Sequence, residues 1–279
     1  MTIGFIGLGR LGQTLAQAWS AQGVAITAVA SRTPATAVAL AERLPACRVL
    51  AQTELVFLTV PDDAIAPLAN GLPWRPGQAV VHCSGATELT ALAAAAAAGA
   101  QVGGFHPLQI FSDPARAQQL LAGSAVAIEA EAPLQGRLQD LALLLQMRPL
   151  RLPPGSRAAY HGAASFAASF LLSMLDEAVQ VWAAAGLPQD LALEALLPLA
   201  QGTLQAAETR GLAGALAGPI SRGDAGVVAA HLRAFDGLGG AHGRFYRELA
   251  LRQLSLARAS GRLSEASLQT LETLLGEPV

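Results

Sequence analysis

Three glycines near the start of the chain have a spacing that suits phosphate binding. Gly7, Gly9 and Gly12 directly follow a short apolar run, Ile3 to Ile6, and an amphipathic segment begins behind them. Gly7 would allow a tight turn, Gly9 would let a pyrophosphate approach the backbone, and Gly12 would let the helix pack closely on the strand. The free N–H groups of the helix N-terminus would complete a dinucleotide site, whereas a merely structural turn is the alternative. We predict that the nucleotide is held by Gly7, Leu8, Gly9, Arg10, Leu11 and Gly12.

The end of the second predicted strand distinguishes between the two nicotinamide dinucleotides. The apolar run Val24 to Ala30 leads into Ser31, Arg32 and Thr33. A site for NAD usually has a carboxylate here for the ribose 2′-hydroxyl, and a carboxylate would repel a 2′-phosphate. A serine beside a guanidinium would bind that phosphate through charge-assisted hydrogen bonds, each worth about 1.5–3 kcal/mol. The sequence therefore predicts NADP(H), with a solvated loop arginine as the alternative interpretation of Arg32.

Further along the chain, three strand ends carry residues suited to a cofactor or substrate. In open α/β sheets, ligands bind beyond the carboxyl ends of the strands. The apolar run that starts at residue 55 leads into Val60, Pro61 and Asp62. Val60 and Pro61 could pack on the cofactor, and Asp62 could cap the next helix. Ser84 follows a later strand and His106 ends the next one, so we predict that both face the nicotinamide crevice.

Histidine suits proton donation near neutral pH, and the chain has five. Hydride transfer to a C=O or C=N bond needs a proton or a hydrogen bond for the charge that develops on oxygen or nitrogen. We predict this role for His161, on a long helix expected to line the interdomain cleft, and for His106, whose alternative role is to cap a turn. His82 is interpreted as a core residue. His231 could reach the cleft from a second subunit, and His242 is predicted to be exposed.

One loop in the second half of the chain could bind an anionic group. The segment Gly218 to Asp224 precedes a helix that Asp224 is placed to cap. Arg222 is the natural clamp for a carboxylate or phosphate of the substrate. A structural ion pair of Arg222 with Asp224, or across subunits, is the alternative.

The elements that must position these residues change character about halfway along the chain. Up to about residue 152, short apolar strands alternate with helical segments, a pattern typical of an α/β Rossmann domain with a mainly parallel sheet. The predicted strands are 2–6, 24–30, 47–50, 55–60, 79–82, 101–105, 124–130 and 149–152. We therefore predict residues 1–152 as an NADP-binding domain and residues 153–279 as an all-helical domain. The helix from about residue 156 to 185 is apolar on nearly every face, which indicates burial by neighbours or by a partner subunit.

Composition narrows the classes of function. The formal net charge of -2, without a basic tail, argues against nucleic acid as the main partner. All 18 basic residues are arginines, so lysine acid–base or Schiff-base chemistry is excluded. Cys47 and Cys83 form no disulfide framework, and no metal-ligand motif is present. The chain starts directly with a strand, and neither apolar stretch, 89–112 or 162–175, suits a bilayer span, so we expect a cytoplasmic protein without membrane contact.

Several longer motifs resemble those of a known group of Rossmann-type oxidoreductases. VFLTVPDDAI, HCSGA and GFHPLQIF, with YHGAASFAASFLLSML and GPISRGDAGVVAAHL in the helical half, are similar to motifs of oxidoreductases that carry the domain of unknown function 2520. The wider kinship is with pyrroline-5-carboxylate reductase, deazaflavin-linked NADP reductases and 6-phosphogluconate dehydrogenase-like enzymes. The resemblance implies an N-terminal NADP domain and a C-terminal helical domain that binds substrate and forms a homodimer. Family members often have a Ser-Asn pair where this chain has Ala168 and Ser169, so Ser169 would take over the asparagine's contact with shorter reach.

These features together favour an NADP(H)-dependent oxidoreductase that reduces a C=O or C=N bond of a small polar substrate, which can bear a carboxylate. We predict catalytic roles for His161, His106, Ser84 and Ser169, and substrate binding by Arg222. The alternative is a non-catalytic NADP-binding redox sensor or assembly protein with the same fold. Histidine and serine at strand ends favour the enzyme, because a sensor needs no proton donor there.

Overall fold

The computed structural model describes residues 1–41 and 53–276, which divide into two compact units, Met1–Phe166 and Ala167–Val279. We call these the sheet domain and the helical domain. The sheet domain consists of β1 (Thr2–Ile6), α1 (Arg10–Ala21), β2 (Ala25–Ala30), α2 (Pro34–Ala41), β3 (Leu55–Leu58), α3 (Asp62–Gly71), β4 (Ala79–His82), a 3-10 helix (Leu89–Leu92), α4 (Ala93–Ala97), β5 (Gln101–Pro107), α5 (Pro114–Gln119), β6 (Ala125–Ala130), α6 (Leu134–Leu144), β7 (Arg148–Arg151) and α7 (Arg157–Ala167). The predicted strand 47–50, with Cys47, lies outside the described residues.

The described strands form one seven-stranded sheet in the order β2-β1-β3-β4-β5-β6-β7. All neighbouring strands are parallel except β5 and β6, which are antiparallel. The prediction of a mainly parallel α/β sheet is therefore confirmed, although β3 ends at Leu58 rather than at residue 60. Because β1 to β5 run in the same direction, their carboxyl ends share one edge of the sheet. We call it the carboxyl edge.

One face of the sheet is covered by an aromatic cluster. Phe5, Phe57 and Phe105 project from three strands onto Trp19 of α1, with ring centroids 5.0 to 6.0 Å from that of the indole. The indole N–H of Trp19 donates a hydrogen bond of 2.9 Å to the carbonyl of Leu141. These four rings are fully buried, so they fix α1 against β1, β3 and β5.

The opposite face is apolar in the middle and polar at the carboxyl edge. Leu58, Val80 and Ile65 belong to its buried core. Successive side chains of a strand point to opposite faces, so His82, two residues after Val80, lies on this second face. Its partner in the β4–β5 register is Gly104, and two residues further along β5 comes His106. The alternation therefore brings both histidines to the same face and the same edge.

The two units meet later in the sequence than residue 152, where the predicted boundary lies. The division falls after Phe166, so that α7 is part of the sheet domain. The physical reason is Arg157, the first residue of α7, whose side chain is fully buried and donates from Nε to Glu129 of β6 at 2.6 Å. A charged side chain buried in this way ties the helix to the sheet.

The helical domain contains α8 (Ser169–Ala184), α9 (Gln189–Ala215), α10 (Pro219–Arg222), α11 (Ala225–Leu238), α12 (His242–Ser260) and α13 (Glu265–Gly276). Its core lies in the last four helices and includes Ile220, Val228, Leu254 and Leu271. Within the range assigned to α9, Gly211 has φ 69 and ψ 170, so the chain kinks there.

The long apolar segment differs from its prediction in two respects. It is interrupted at Ala168, where φ is -119 and ψ is -83, so α7 and α8 are separate helices. No residue of α8 is buried, and α9 buries only Ala192. The other helices of the helical domain therefore leave α8 without a buried residue, and burial of the segment by neighbours or by a partner subunit stays a prediction.

The same segment also satisfies the length and composition criteria for a membrane span. Among the described residues, one stretch, Arg157–Ala184, is long and apolar enough, with a mean hydropathy of 1.2 over its best window. This stretch includes residues 162–175, which by themselves are too short to cross a bilayer. Length and composition are shared by helices that a protein partner covers, so they do not by themselves indicate a bilayer.

Candidate active site

The glycine turn after β1 has the conformation that phosphate binding requires. Gly7 has φ +96, and a Cβ there would lie 2.5 Å from the carbonyl oxygen of Thr59. A Cβ at Gly12 would overlap with the carbonyl of Gly7, so this glycine lets α1 approach β1. Above Gly9, in contrast, a Cβ would meet nothing within 4 Å. The open space therefore lies at the glycine that was predicted to admit a pyrophosphate.

The N-terminus of α1 fits an anionic ligand. Gly9 occupies the N-cap position without a side-chain cap, and the first turn contains no acidic residue. Uncapped N–H groups at a helix start attract phosphate oxygens. Leu8 is buried and its carbonyl accepts a hydrogen bond of 2.8 Å from the Gln13 side chain, which fixes the turn from below. Arg10 and Leu11 begin the helix itself.

The turn after β2 fits a 2′-phosphate. The Ser31 hydroxyl accepts a hydrogen bond of 3.2 Å from the Thr33 backbone N–H, and both Arg32 and Thr33 are exposed at the carboxyl edge. The residues therefore form a short turn that can present a guanidinium, a hydroxyl and backbone N–H groups to one anion. No carboxylate occupies residues 31–33.

The turn after β3 differs from its prediction in one detail. The Thr59 hydroxyl donates to the Gly7 carbonyl at 2.5 Å and so joins two turns of the carboxyl edge. Val60 packs partly against the second core, and Pro61 is exposed. Pro61, not Asp62, is the N-cap of α3, and Asp62 lies in the first turn without capping it. The prediction that Asp62 caps this helix is therefore wrong, although its charge still favours the helix N-terminus.

Two imidazole rings and a phenol meet at the carboxyl end of β5. His106 Nδ1 and the hydroxyl of Tyr160 are 2.9 Å apart. The His106 ring centroid lies 5.6 Å from that of Tyr160 and 5.9 Å from that of His161. The structure thus brings together the two histidines predicted as proton donors, since α7 carries His161 back over β5. We call His106, Tyr160 and His161 the proton-donor cluster.

Gly85 forms the floor of this cluster. A Cβ at this position would lie 2.5 Å from Cδ2 of His161, and 2.8 Å and 2.9 Å from Cε1 and Nε2 of His106. A real Cβ does not tolerate such distances, so only glycine lets both rings approach the backbone. The HCSGA motif, of which Gly85 is a part, therefore contributes shape rather than a reactive group.

Behind the cluster lies a buried ion pair. Arg157 donates from Nε to Glu129 at 2.6 Å and from Nη1 to the carbonyl of Ser84 at 2.8 Å. The guanidinium passes over Gly104, where a Cβ would overlap with Nη2. His82, Gly104 and Glu129 are register neighbours across β4, β5 and β6. Arg157 therefore crosses three strands on the same face as the histidines.

The electrostatics of the site keep its strand-end histidines neutral. Burial, with smaller contributions from Arg157 and His106, lowers the pKa of His82 to about 3. Burial also lowers the pKa of His106 to about 4, with His161 and Arg157 acting in the same direction and Asp62 against it. The pKa of Tyr160 is raised by burial, which Arg157 partly opposes. At neutral pH His106 and Tyr160 are therefore a pair of uncharged groups.

The Ser84 hydroxyl stabilises the turn in which it lies, and its catalytic role stays a prediction. Its hydroxyl accepts hydrogen bonds from the N–H groups of Ala86, at 3.2 Å, and Thr87, at 2.9 Å, and donates to the Thr87 hydroxyl at 2.9 Å. Its own N–H donates to His82 Nδ1 at 3.3 Å. These bonds hold the turn that contains Gly85, so Ser84 shapes the floor of the cluster.

The remaining predicted residues lie in the helical domain. Ser169 is the first residue of α8, and Arg222 is exposed at the end of α10; both stay predictions for substrate contact. Asp224 caps α11 by accepting a bond of 3.1 Å from Val227 N–H, as predicted. His231 Nδ1 lies 3.0 Å from the Tyr246 hydroxyl. His242 is half-buried and pairs with Glu177 at 2.7 Å, so its predicted exposure is wrong.

Sequence reasoning missed Tyr160, Arg157 and Glu129. Tyr160 directly precedes His161, and a phenol beside a candidate histidine is a signal that could have been used. Glu129 is a carboxylate inside the apolar strand AVAIEA, which indicates a buried partner of opposite charge. Arg157 itself has no comparable signal, because nothing in its local sequence marks it as buried.

Two family models match the chain. Residues 2–85 match the model described as NADP oxidoreductase, coenzyme F420-dependent, and residues 124–253 match the domain of unknown function 2520. The resemblance found in the sequence is thereby confirmed, and so is NADP(H) as the cofactor. No curated protein matches the chain.

Solved structures are similar to the chain over most of its length. A candidate NADP oxidoreductase from Bacteroides fragilis is 27% identical, with 92% of this chain and 98% of that chain covered and a TM-score of 0.67. A Thermotoga maritima protein is 23% identical, with 93% and 100% covered and a TM-score of 0.79. A reductive aminase from Aspergillus terreus, in complex with NADPH and ethyl-5-oxohexanoate, is 18% identical, with 98% and 92% covered and a TM-score of 0.59. The last two show a shared fold.

Proposed function

Because an NADP oxidoreductase segment is joined here to a domain of unknown function 2520, we propose that the protein is an NADPH-dependent reductase of a C=O or C=N bond. Its substrate is small and polar and can bear a carboxylate. The observation that carries this proposal is the proton-donor cluster, in which His106, Tyr160 and His161 meet over Gly85 at the carboxyl edge. The similarity to a reductive aminase structure supports the inclusion of C=N bonds.

NADPH, when bound, supplies the hydride, and the protein must hold the acceptor carbon near it and supply a proton. Gly7, Gly9 and Gly12 would hold the pyrophosphate, and Arg32 with Ser31 would hold the 2′-phosphate. The turn at Gly85 then lies where the carboxyl ends of β4 and β5 border the nicotinamide side of the site. The polar groups nearest to that position in the sheet domain are those of the proton-donor cluster.

Within the cluster the two histidines have different tasks. His161 is exposed, so its imidazole can deliver a proton to the reduced oxygen or nitrogen and recover one from solvent. His106 is neutral, and we assign the Tyr160 hydroxyl as the donor to its Nδ1, 2.9 Å away, which leaves the proton on Nε2. That N–H orients the substrate atom on which negative charge develops.

The first experiment is a calorimetric titration with NADPH and NADH, followed by a substrate panel monitored through NADPH absorbance. The panel contains ketones and cyclic imines, each with and without a carboxylate. We expect preference for NADPH and turnover of at least one class, with the carboxylate-bearing member favoured. NADPH binding without turnover of any member would contradict the reductase and support a redox sensor instead.

Variants then test the assignment of roles. His161→Ala is expected to lower kcat by about 10²–10⁴-fold while the affinity for NADPH is kept. Tyr160→Phe removes the hydroxyl next to His106, and Tyr246→Phe is its matched control, because Tyr246 makes an equivalent contact of 3.0 Å to His231. Only the Tyr160 variant should lower kcat. Equal effects of the two phenylalanine variants would remove Tyr160 from the mechanism.

A homodimer through the helical domain is part of the same proposal. In the protomer, α8 buries no residue, and large apolar side chains such as Phe170, Leu172 and Leu199 are exposed. An apolar surface of this extent in one region supports association with a second copy. A cytoplasmic location agrees with the use of NADPH and with Cys83, which is a buried free thiol.

A further inference from the structure

Arg157 makes contacts that structural stability alone does not explain. It is fully buried, and its guanidinium joins β6 through Glu129 and the turn after β4 through the Ser84 carbonyl. Its Nη2 finds no hydrogen-bond partner among the described residues. Replacing a buried ion pair by apolar side chains of similar volume is often neutral or stabilising, because desolvation of the charges is costly. A charge kept here at such a cost therefore suggests a task in the site.

The position of Arg157 on α7 indicates that task. Tyr160 and His161 follow it by three and four residues, so they lie on the same side of the helix one turn later. The contacts that fix the guanidinium over Gly104 therefore also fix the turn that presents the phenol and the imidazole to His106. Its charge lies next to His82 as well, since His82 and Gly104 are register partners.

We propose that Arg157 is a positioning residue for the reduction: it docks the first turn of α7 so that Tyr160 and His161 meet His106, and it places a fixed positive charge behind the cluster. In this role Arg157 acts through Tyr160, His161 and His106. This inference rests on the proposed function for its catalytic consequence, but its structural and electrostatic parts do not depend on any substrate.

The charge state of the His106 ring determines which partner donates the Tyr160–His106 hydrogen bond. An imidazolium would donate from both nitrogens and would force the phenol to accept, whereas a neutral ring can accept at Nδ1. The groups that face His106 are His161 and Tyr160 of α7, Asp62 of α3, His82 of β4 and Arg157. Burial is the main cause that lowers the pKa of His106; His161 and Arg157 act in the same direction, and Asp62 opposes them. Arg157 is the member of this group whose charge does not change with pH.

The test is a titration of the histidine rings by NMR in the purified protein without cofactor. His106 signals are assigned with His106→Asn. Two variants remove the positive charge, Arg157→Met, which keeps much of the side-chain volume, and Arg157→Gln, which can still donate to the Ser84 carbonyl. Arg157→Lys, which keeps the charge, is the matched control. We expect the His106 midpoint to rise in the charge-removing variants and to stay near the wild-type value in Arg157→Lys.

Kinetics provide the second readout. On any substrate that the wild type reduces, the acid limb of the kcat profile should move upward in the charge-removing variants by the same amount as the His106 midpoint, with the KM for NADPH unchanged. A folded charge-removing variant whose His106 titrates like the wild type would overturn the proposal. An upward shift in the NMR titration combined with no turnover by the wild type would instead contradict the proposed function and leave the role of Arg157 intact.

Discussion

The sheet domain and the two long helices α8 and α9 are both rich in apolar residues, yet they differ in what covers those residues. In the sheet domain Trp19, Phe57 and Phe105 are fully buried, because helices of the same chain cover both faces of the sheet. On α8 and α9, Leu172 and Leu199 are 68% and 69% exposed. A sheet with short connections can bury its apolar residues under helices of the same chain. A long helix buries its apolar side only where another element or subunit packs along it. The exposed helices therefore identify the part of the chain that we expect to require a partner.

The largest expected effect concerns this exposed surface. Leu172→Asp should weaken the proposed homodimer by about 3–6 kcal/mol, since a twofold dimer contains two copies of this leucine and each burial contributes about 1.5–3 kcal/mol. Sedimentation equilibrium would show this as a dissociation constant at least about 100-fold higher. Leu143→Asp is the matched control, because Leu143 is 58% exposed on α6 of the sheet domain. If both variants raised the dissociation constant equally, the apolar surface of α8 would not differ from that of the sheet domain in its role in association.

The second prediction tests the self-sufficient core of the sheet domain. Trp19→Ala should lower the free energy of unfolding by about 3–5 kcal/mol, because it leaves a cavity among Phe5, Phe57 and Phe105 and removes the hydrogen bond to Leu141. Urea denaturation at two protein concentrations measures the loss, which should be the same at both. A loss that grows on dilution would indicate that this core, too, depends on the partner.

The affinity for the cofactor should depend on residues of the sheet domain alone. Arg32→Ala is expected to weaken NADPH binding by about 1.5–3 kcal/mol, roughly 10- to 100-fold, and to leave NADH binding nearly unchanged, since only NADPH has the 2′-phosphate. Calorimetric titration measures both affinities. The same ratio should be found in the Leu172→Asp background. Equal losses for both cofactors would remove Arg32 from 2′-phosphate recognition.

The smallest expected effect concerns the stability of one part of the helical domain. The helices α10 to α13 have their own core, so a defect at the start of α11 should act locally. Asp224→Ala removes the cap on the Val227 N–H and should cost about 1 kcal/mol of stability without changing the dimer. Asp224→Asn, which keeps a side-chain oxygen, is the control. Thermal unfolding distinguishes the two, and a change in oligomeric state would count against a separate core.

The sequence predicted the framework of the fold well, because the framework depends on local patterns. Short apolar runs located the described strands to within about two residues, and the three glycines defined the turn before α1. NADP(H) followed from Ser31 and Arg32, where a carboxylate would have indicated NAD. The helical half was harder, since a helix that is apolar on nearly every face carries no information about which chain covers it.

The candidate site was predicted only in part, and the reason is that its remaining members depend on long-range contacts. His106 and His161 were found because histidine is chemically distinctive. For Ser84 the sequence predicted a catalytic role, but it did not reveal the hydrogen bonds that the hydroxyl accepts within its own turn. Arg157 was missed because its partner Glu129 is separated from it by 28 residues and an intervening helix.

Gly85 has a consequence for how this protein can change over evolutionary time. A Cβ at this position would lie within 3.0 Å of the rings of both His106 and His161, so a side chain at residue 85 requires those rings to move. Loss of the histidines would remove this obstacle. Changes at position 85 and at the two histidines are therefore coupled: while both imidazoles are present, each substitution for the glycine carries the cost of separating them.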